Sequence, residues 1–405
     1  MSDEFRLSAT SIQDWEECKR RFYLAYVLNL QKTEDKTSFR VGKIWHGCHE
    51  IASMIPQSRC KLCYRRGELV ESCYLCGGTG VLPEDLMDSV TRYVNHMYAK
   101  SPSDMTHDEL EVERIKVLYS FVGYRWYFSE QRFDTVSSEI WFDNQIVDPS
   151  TRRFLRGFNV VGKVDHLLRD LSTGLLYIGE RKSTRQSLDN SSYWNRLQLD
   201  VQVTTYLYEL RISQMLGKLR KFGISENDPM IHGIWYDVWH VPTTDPKLLT
   251  QADTKEFLST HTYFGEDFEV VQTTDSTGDA KVVVNDSTAP VTAGKKGFAI
   301  RETPEMYGAR LMNDISQQPQ FYFEQREIPR SDSQLIEYED MLCKIAKGVN
   351  LFNKNDLWTP NCRSCESPFY CEFRNLCMNN VRVGPSDAVP MGYRKKPQRP
   401  SRKKG

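Results

Sequence analysis

The chain has 405 residues, 40% hydrophobic and 26% charged, with a formal net charge of −1. Such a length can bury a large core in two or three domains, or in one domain with insertions, and no run approaches the ~18–20 apolar residues of a membrane helix. Residues 391–405 carry seven Lys or Arg and no acid, leaving 46 basic against 54 acidic residues elsewhere, so bulk charge excludes a generally basic nucleic-acid binder and leaves only a local groove or the tail for that role.

The opening MSDEFRLSATS has no apolar signal core, so neither secretion nor a membrane is expected. In the reducing, cytoplasmic setting this implies, 11 cysteines favour metal sites and free thiols over disulfides. Leu7 to Leu30 reads as one amphipathic helix, capped by Ser8 or Ser11, with Ile12, Trp15, Phe22 and Tyr26 at helical spacing and Cys18 inside it. Val41 to Met54 reads as a second helix, in which Gly42 permits close packing and Ile44, Trp45 and Cys48 face inward. On their own, His46 and His49 read as hydrogen-bonded histidines. Cys60-Lys-Leu-Cys63 and Cys73-Tyr-Leu-Cys76 form two C-x2-C knuckles, the spacing of a four-thiolate Zn²⁺ site. The second continues as Gly77-Gly78-Thr79-Gly80 and is similar to one unit of the zinc repeat of DnaJ-type chaperones. That implies a local zinc fold, structural first and a DNA or partner contact second.

Leu82 to Phe133 is helical in pattern, and its aromatic run FVGYRWYF, 121–128, is either core or a stacking platform for single-stranded bases. The sheet begins at Ser137 to Asn144. Val160 to Leu168 and Leu175 to Lys182 read as strands joined by the turn Ser172-Thr173-Gly174. This hairpin brings Asp165 near Glu180, with Lys182 on the face of Glu180. Two carboxylates and an ammonium on one side of a sheet suit a hard divalent cation. Ser192 to Met215 reads as a helix carrying Gln198, Gln202 and Tyr206 in one polar stripe, and Met230 to Val241 as a further strand. Periodicity fades over Pro242 to Lys296, where Thr273 to Ala293 suggests a loop or small hairpin. A helix over Glu302 to Ser316, a strand over Phe321 to Ile328 and a helix over Ser331 to Phe352 follow, the last with Cys343 as a buried thiol. Cys362-Arg-Ser-Cys365, Cys371 and Cys377 form a second metal signature, and the tail after Val381 is expected to be disordered.

Asp165, Glu180-Arg181-Lys182, the Gln202-x-x-x-Tyr206 pair and the Gly42-x-x-x-His46 element together resemble the PD-(D/E)XK nuclease superfamily, in its RecB-like branch. The C-x2-C-x5-C group with one distant upstream Cys resembles AddB-type and CRISPR-adaptation nucleases of that branch. The resemblance implies an α/β fold with a restriction-endonuclease-like core, a mixed central sheet flanked by helices. In boundaries it implies N-terminal helices over 1–59, a zinc-knuckle insertion over 60–80, a helical region over 81–134 and a nuclease core over 135–242. An insertion over 243–300, C-terminal helices with a cluster-binding region over 301–380 and a basic tail over 381–405 complete it.

It further implies that Asp165, Glu180, the Arg181 backbone carbonyl and His46 bind Mg²⁺ or Mn²⁺, with Lys182, Gln202 and Tyr206 completing the catalytic set. Glu139 stands where relatives often carry an acid. Cys18, Cys362, Cys365 and Cys371 would hold a [4Fe–4S] cluster and leave Cys377 spare; the competing arrangement is a second zinc site of Cys362, Cys365, Cys371 and Cys377. The implied activity is a metal-dependent DNA exonuclease acting on single strands or ends, in recombination, repair or processing. Two departures are visible: Arg181 and Ser183 replace a more usual hydrophobic residue and Thr-Gly, and no G-x-x-x-x-G-K-[ST] helicase motif is present. The protein is therefore expected to act on existing ends or single strands, or to work beside a separate helicase or annealing protein. The competing readings are a non-catalytic DNA-binding scaffold and a nuclease that trims or integrates DNA within a larger complex.

Overall fold

The computed structural model describes residues 5–33, 40–67, 69–99, 105–130, 132–189, 191–274, 280–294, 297–366 and 370–396. Ser8 closes a capping box with Ser11, so the chain enters as β1 (Phe5–Leu7) before α1 (Ala9–Glu17). The single helix expected over Leu7 to Leu30 is broken at Cys18, whose backbone is extended. Its sulfur accepts the Arg21 N–H at 3.4 Å and so caps α2 (Lys19–Phe22). A π-turn over Tyr23–Val27 leads into β2 (Leu30–Lys32).

Next come α3 (Arg40–Ala52), α4 (Lys61–Arg66), α5 (Leu86–Tyr98) and α6 (His107–Tyr127). β3 (Phe133–Asp148) and β4 (Arg153–Asp170) form a hairpin longer than the sequence pattern suggests, and β5 (Leu176–Thr184) follows the expected turn. In that turn Asp170 Oδ1 accepts the Ser172 and Thr173 N–H groups at 2.9 and 3.0 Å, and Gly174 supplies the left-handed residue. The helix expected over Ser192 to Met215 is two, α7 (Ser191–Leu197) and α8 (Val201–Met215). Asp200 caps α8 through the Gln202 N–H at 2.7 Å, while buried Arg330 holds the freed carbonyls of Leu197 and Asp200 at 2.7 and 3.1 Å. Gln198 lies in the break, so only Gln202 and Tyr206 of the expected stripe share a helix.

After β6 (Gly233–His240) and α9 (Gln251–Thr260), the chain folds into short antiparallel strands, so that the loop or small hairpin expected over Thr273 to Ala293 is of the hairpin kind. These are β7 (Thr262–Tyr263), β8 (Glu266–Asp267), β9 (Val270–Thr274), β10 (Ala280–Val284), β11 (Ser287–Ala289), β12 (Val291–Gly294) and β13 (Gly297–Ile300). Alternating Val282 and Val284 bury against Phe257, Phe268 and Ile300, giving this insertion its own core. The chain ends with α10 (Pro304–Gln317), α11 (Pro319–Tyr322), β14 (Phe323–Ile328), α12 (Asp332–Asn355), α13 (Arg374–Met378) and β15 (Tyr393–Lys395). β15 pairs with β2, and Lys396 Nζ reaches the Ala25 carbonyl at 3.0 Å. Residues 381–396, expected to be disordered, therefore follow a defined path; 397–405 lie outside the described residues.

The central sheet runs β1-β4-β5-β6-β14, with β3 on the other side of β4. β4 and β5 are antiparallel and β5 and β6 parallel, joined by α7 and α8. Side chains alternate across such a sheet, and two cores result. Ile178, Ile234 and Val238 pack with α8, α12 and the N-terminal helices. Trp239 and Phe323 pack with α3, α5 and α6. Trp45 stacks on Trp239 at 4.0 Å between centroids, and truncating it to Ala would cost about 3–5 kcal/mol. Among the described residues no helix is long and apolar enough to cross a membrane.

Candidate functional site

β4 and β5 pair over His166–Gly179 to Arg169–Leu176 and part beyond it, so Asp165 and Glu180 face each other where the strands separate. Into this fork α3 brings His46, whose Nδ1 lies 3.3 Å from Asp165 Oδ2. The approach depends on Gly42, one turn earlier, where a Cβ would stand 3.0 Å from Ser183 Oγ. The Arg181 N–H also points at Asp165 Oδ2, at 3.4 Å. From α8, Gln202 Nε2 donates to Glu180 Oε1 at 3.3 Å and to Tyr206 OH at 2.8 Å, while its Oε1 accepts from Lys182 Nζ at 3.1 Å. Lys182 Nζ lies 2.6 Å from Glu180 Oε1. Six of the expected residues thus converge: His46, Asp165, Glu180, Lys182, Gln202 and Tyr206.

The two carboxylates have opposite surroundings. Burial would raise Asp165, but the hydrogen bond and charge of His46, with the charge of Lys182, hold it at about 2. Glu180 is the more buried, and loss of solvent drives its pKa up against the pull of Lys182. Burial acts to lower Lys182, yet its ion pair and hydrogen bond with Glu180 outweigh this and keep it protonated. Burial pushes Tyr206 up to about 12, leaving it a neutral hydroxyl. Carboxylate oxygens and a main-chain carbonyl are hard donors that fit Mg²⁺ or Mn²⁺, and an imidazole nitrogen, a borderline donor, suits Mn²⁺ better than Mg²⁺.

The sequence reading missed what lies behind β5. The Arg181 side chain passes to the face opposite Glu180 and Lys182, where it contacts the His166 ring and lies 3.6 Å from Asp237 Oδ2 on β6. Asp237 accepts the Tyr124 hydroxyl, which accepts from Gln325 Nε2 at 3.2 Å. Burial, then the Arg181 charge, pushes His166 down to about 3, so it is a neutral acceptor for that guanidinium. The signal available was Arg181 itself, whose place between Glu180 and Lys182 puts its charge on the opposite face of the strand. His49 is buried against Tyr124 at 4.6 Å, away from the fork. In the aromatic run Phe121 and Tyr124 are core, while Trp126 and Tyr127 are exposed.

The four knuckle cysteines gather as expected. The sulfurs of Cys60, Cys63, Cys73 and Cys76 all lie within 4.8 Å of one another. The Cys60–Cys73 and Cys63–Cys76 separations are both 3.6 Å, close to the edge of about 3.8 Å for a tetrahedron with ~2.3 Å metal–sulfur bonds. The group can hold a metal ion. α5 clasps it, with Arg92 donating to the Tyr74 and Leu75 carbonyls at 3.3 and 3.2 Å. In the second group, Cys18 receives the Asn361 N–H at 3.3 Å, across 343 residues of sequence. Cys371 and Cys377 are near enough to Cys18 for their charges to interact, and Cys365 is as near to Cys371 and Cys377; Cys362 is exposed. Cys48 and Cys343 are buried thiols, as expected.

No curated protein matches the sequence. A family model, that of the PD-(D/E)XK nuclease superfamily, matches residues 6–377. That span contains the strand fork, both of its carboxylates, Lys182 and the helices that supply His46 and Gln202. The chain belongs to the PD-(D/E)XK nuclease superfamily, whose members are generally nucleases that use divalent metals.

Proposed function

We propose that this protein is a metal-dependent DNA exonuclease acting on single-stranded DNA or DNA ends, in recombination, repair or processing. The observation that carries the reading is the convergence of Asp165, Glu180 and Lys182 in the fork, with His46 on Asp165 and Gln202 on Glu180. Asp165, Glu180, the Arg181 carbonyl and His46 would hold the cation. Bound Mg²⁺ or Mn²⁺ supplies Lewis acidity, which lowers the pKa of water and offsets charge on a scissile phosphate. Lys182, kept protonated, stands ready to stabilise negative charge developing on that phosphate. Gln202 fixes both partners of the Glu180–Lys182 pair, and Tyr206 orients Gln202. A scaffold that only bound DNA would need no such buried acid–cation pair.

The cysteine groups have separate roles in this reading. Cys60, Cys63, Cys73 and Cys76 hold structural Zn²⁺, supported by the tetrahedral sulfur spacing. Cys18, with Cys362, Cys365 and Cys371, holds a [4Fe–4S] cluster, supported by the capture of Cys18 beside Asn361. Each thiolate of such a cluster would bind its own iron, so its sulfurs would stand further apart than four around one ion. Cys377, close to Cys18 and Cys371, is the alternative to exposed Cys362 as fourth ligand. End-labelled single- and double-stranded DNA, incubated with Mg²⁺ or Mn²⁺, tests the activity. Shortening from labelled ends supports it; DNA binding with no cleavage under either cation leaves the scaffold.

A further inference from the structure

One residue of the central sheet has a backbone that a strand does not ordinarily allow. Glu139 lies inside β3 with φ of 55°, the left-handed region that non-glycine residues avoid. Ser138 pairs with His166 and Ile140 with Val164, so Glu139 stands directly opposite Asp165.

The consequence appears in which side chains share a face. Alternation puts residues two apart on the same side. Ile140 and Val164 pack into the core of α8. Two residues further along each strand, Ser138 and His166 face the other way: Ser138 Oγ lies 3.2 Å from His166 Nδ1, and His166 contacts Arg181 behind the sheet. Leu167 has returned to the α8 core beside Ile178, the residue two before Glu180. The facing pattern therefore changes phase at the Glu139–Asp165 step. Were the alternation of Val164 continued, Asp165 would point behind the sheet with Arg181, away from Glu180. The Glu139 carboxylate takes no part in the fork, since it pairs with Lys163 and is half exposed.

We propose that Glu139 is a positioning residue acting through its left-handed backbone, which turns β4 so that the Asp165 carboxylate meets Glu180, and that its own carboxylate is dispensable. The proposal rests on reading Asp165 and Glu180 as the cation site. It assigns the acid before the Asp strand to geometry and not to metal binding. Strain held opposite a reacting group is a recurrent feature of functional sites.

The test titrates Mn²⁺ into the full-length protein by electron paramagnetic resonance, alongside melting curves and DNA cleavage. Glu139→Gly and Glu139→Asn accept the left-handed conformation, so both should keep wild-type Mn²⁺ affinity and cleavage, and Glu139→Gly should melt no lower. Glu139→Val resists that conformation and should weaken Mn²⁺ binding about 10–100-fold, with cleavage recovered by excess Mn²⁺. Loss of Mn²⁺ binding in folded Glu139→Gly or Glu139→Asn would make the carboxylate a ligand and overturn the proposal. Wild-type Mn²⁺ affinity in Glu139→Val would overturn it too. Wild-type affinity in Asp165→Ala would instead remove the cation site on which the inference rests, a failure of the functional reading itself.

Discussion

α8 carries Gln202 and Tyr206 into the fork, and it is tied to β3 by a buried acid that can be titrated. Glu209 is almost fully enclosed, and Asn144 Nδ2 donates to its Oε2 at 2.8 Å and to its carbonyl at 2.9 Å. Loss of solvent raises its pKa from 4.5 to about 8, against the pull of Asn144 and Lys218. Because the folded value is the higher one, the group's contribution to stability is full below pH 4.5 and is lost as pH rises towards 8. At about 1.4 kcal/mol per pH unit, the loss is roughly 3 kcal/mol by pH 7 and on the order of 5 kcal/mol when complete. Glu209→Gln has the same shape and no charge to lose. Urea midpoints measured from pH 4.5 to 8.5 should therefore fall for wild type relative to Glu209→Gln, with the gap widening through this window. Parallel midpoints across the window would mean that the carboxyl ionises as freely in the folded protein as in the unfolded chain, and the burial argument would fail.

Asp165→Ala, Glu180→Ala and Lys182→Ala should each abolish cleavage in Mg²⁺ or Mn²⁺ while leaving the folded circular dichroism spectrum, and double variants should lose little more than single ones because the groups act as a unit. Wild-type cleavage by Glu180→Ala would place the chemistry elsewhere. Asp237→Ala leaves the Arg181 charge buried without its partner, so the melting curve should report a loss of about 3–5 kcal/mol; a change under 1 kcal/mol would show that water replaces the pair. Metal analysis of anaerobically purified protein should find about one zinc and four irons. Cys73→Ala should lose only the zinc and Cys18→Ala only the iron, and whichever of Cys362→Ala and Cys377→Ala loses iron identifies the fourth ligand. Two zincs in a colourless protein, unchanged by Cys18→Ala, would refute the cluster.

The fork was legible because it is local. Asp165, Glu180 and Lys182 fall within one hairpin whose turn is written in Asp170, Ser172 and Gly174, and the period of a strand fixes which residues share a face. The meeting of His46 with Asp165, and of Cys18 with the C-terminal cysteines, was legible only by resemblance, since nothing in their own helices says what the distant chain brings to them. What misled the reading was competition between side chain and backbone. Cys18 and Asp200 both sit in apolar helical periodicity, yet each turns its side chain back onto an N–H two or three residues on and ends one helix while starting the next. The 243–300 insertion showed little period because, apart from α9, it is built from strands of two to five residues, too short for a pattern to stand out in the sequence. The Glu139 step leaves no trace at all, because a φ value is decided by the pairing of two strands and not by a glutamate.

The placement of the fork and of the two cysteine groups follows from the sheet having two faces. Glu180 and Lys182 share a face with Ile178 and look onto α8, whereas Arg181 turns into the opposite core beside Asp237. The cation proposed for the fork would therefore draw on elements belonging to different cores: His46 arrives with α3 from one, and Gln202 supports Glu180 from the other. Each core also contains one cysteine group. The knuckle cysteines pack with Ile44, Trp45 and Cys48 of α3, the helix that delivers His46. The segment around Cys18 packs Trp15 and Phe22 against Trp358, in the core that seats α8. Local sulfurs can fold around an ion by themselves, but Cys18 and Cys371 are brought together only when the ends of the chain meet. With zinc bound as proposed, the knuckle group would stabilise one wall of the fork from its own short sequence, while the Cys18 group would make the other wall depend on assembly of the entire domain. Loss of zinc should accordingly reach the active site through His46, and loss of the second group through Gln202 and the Glu180–Lys182 pair it holds.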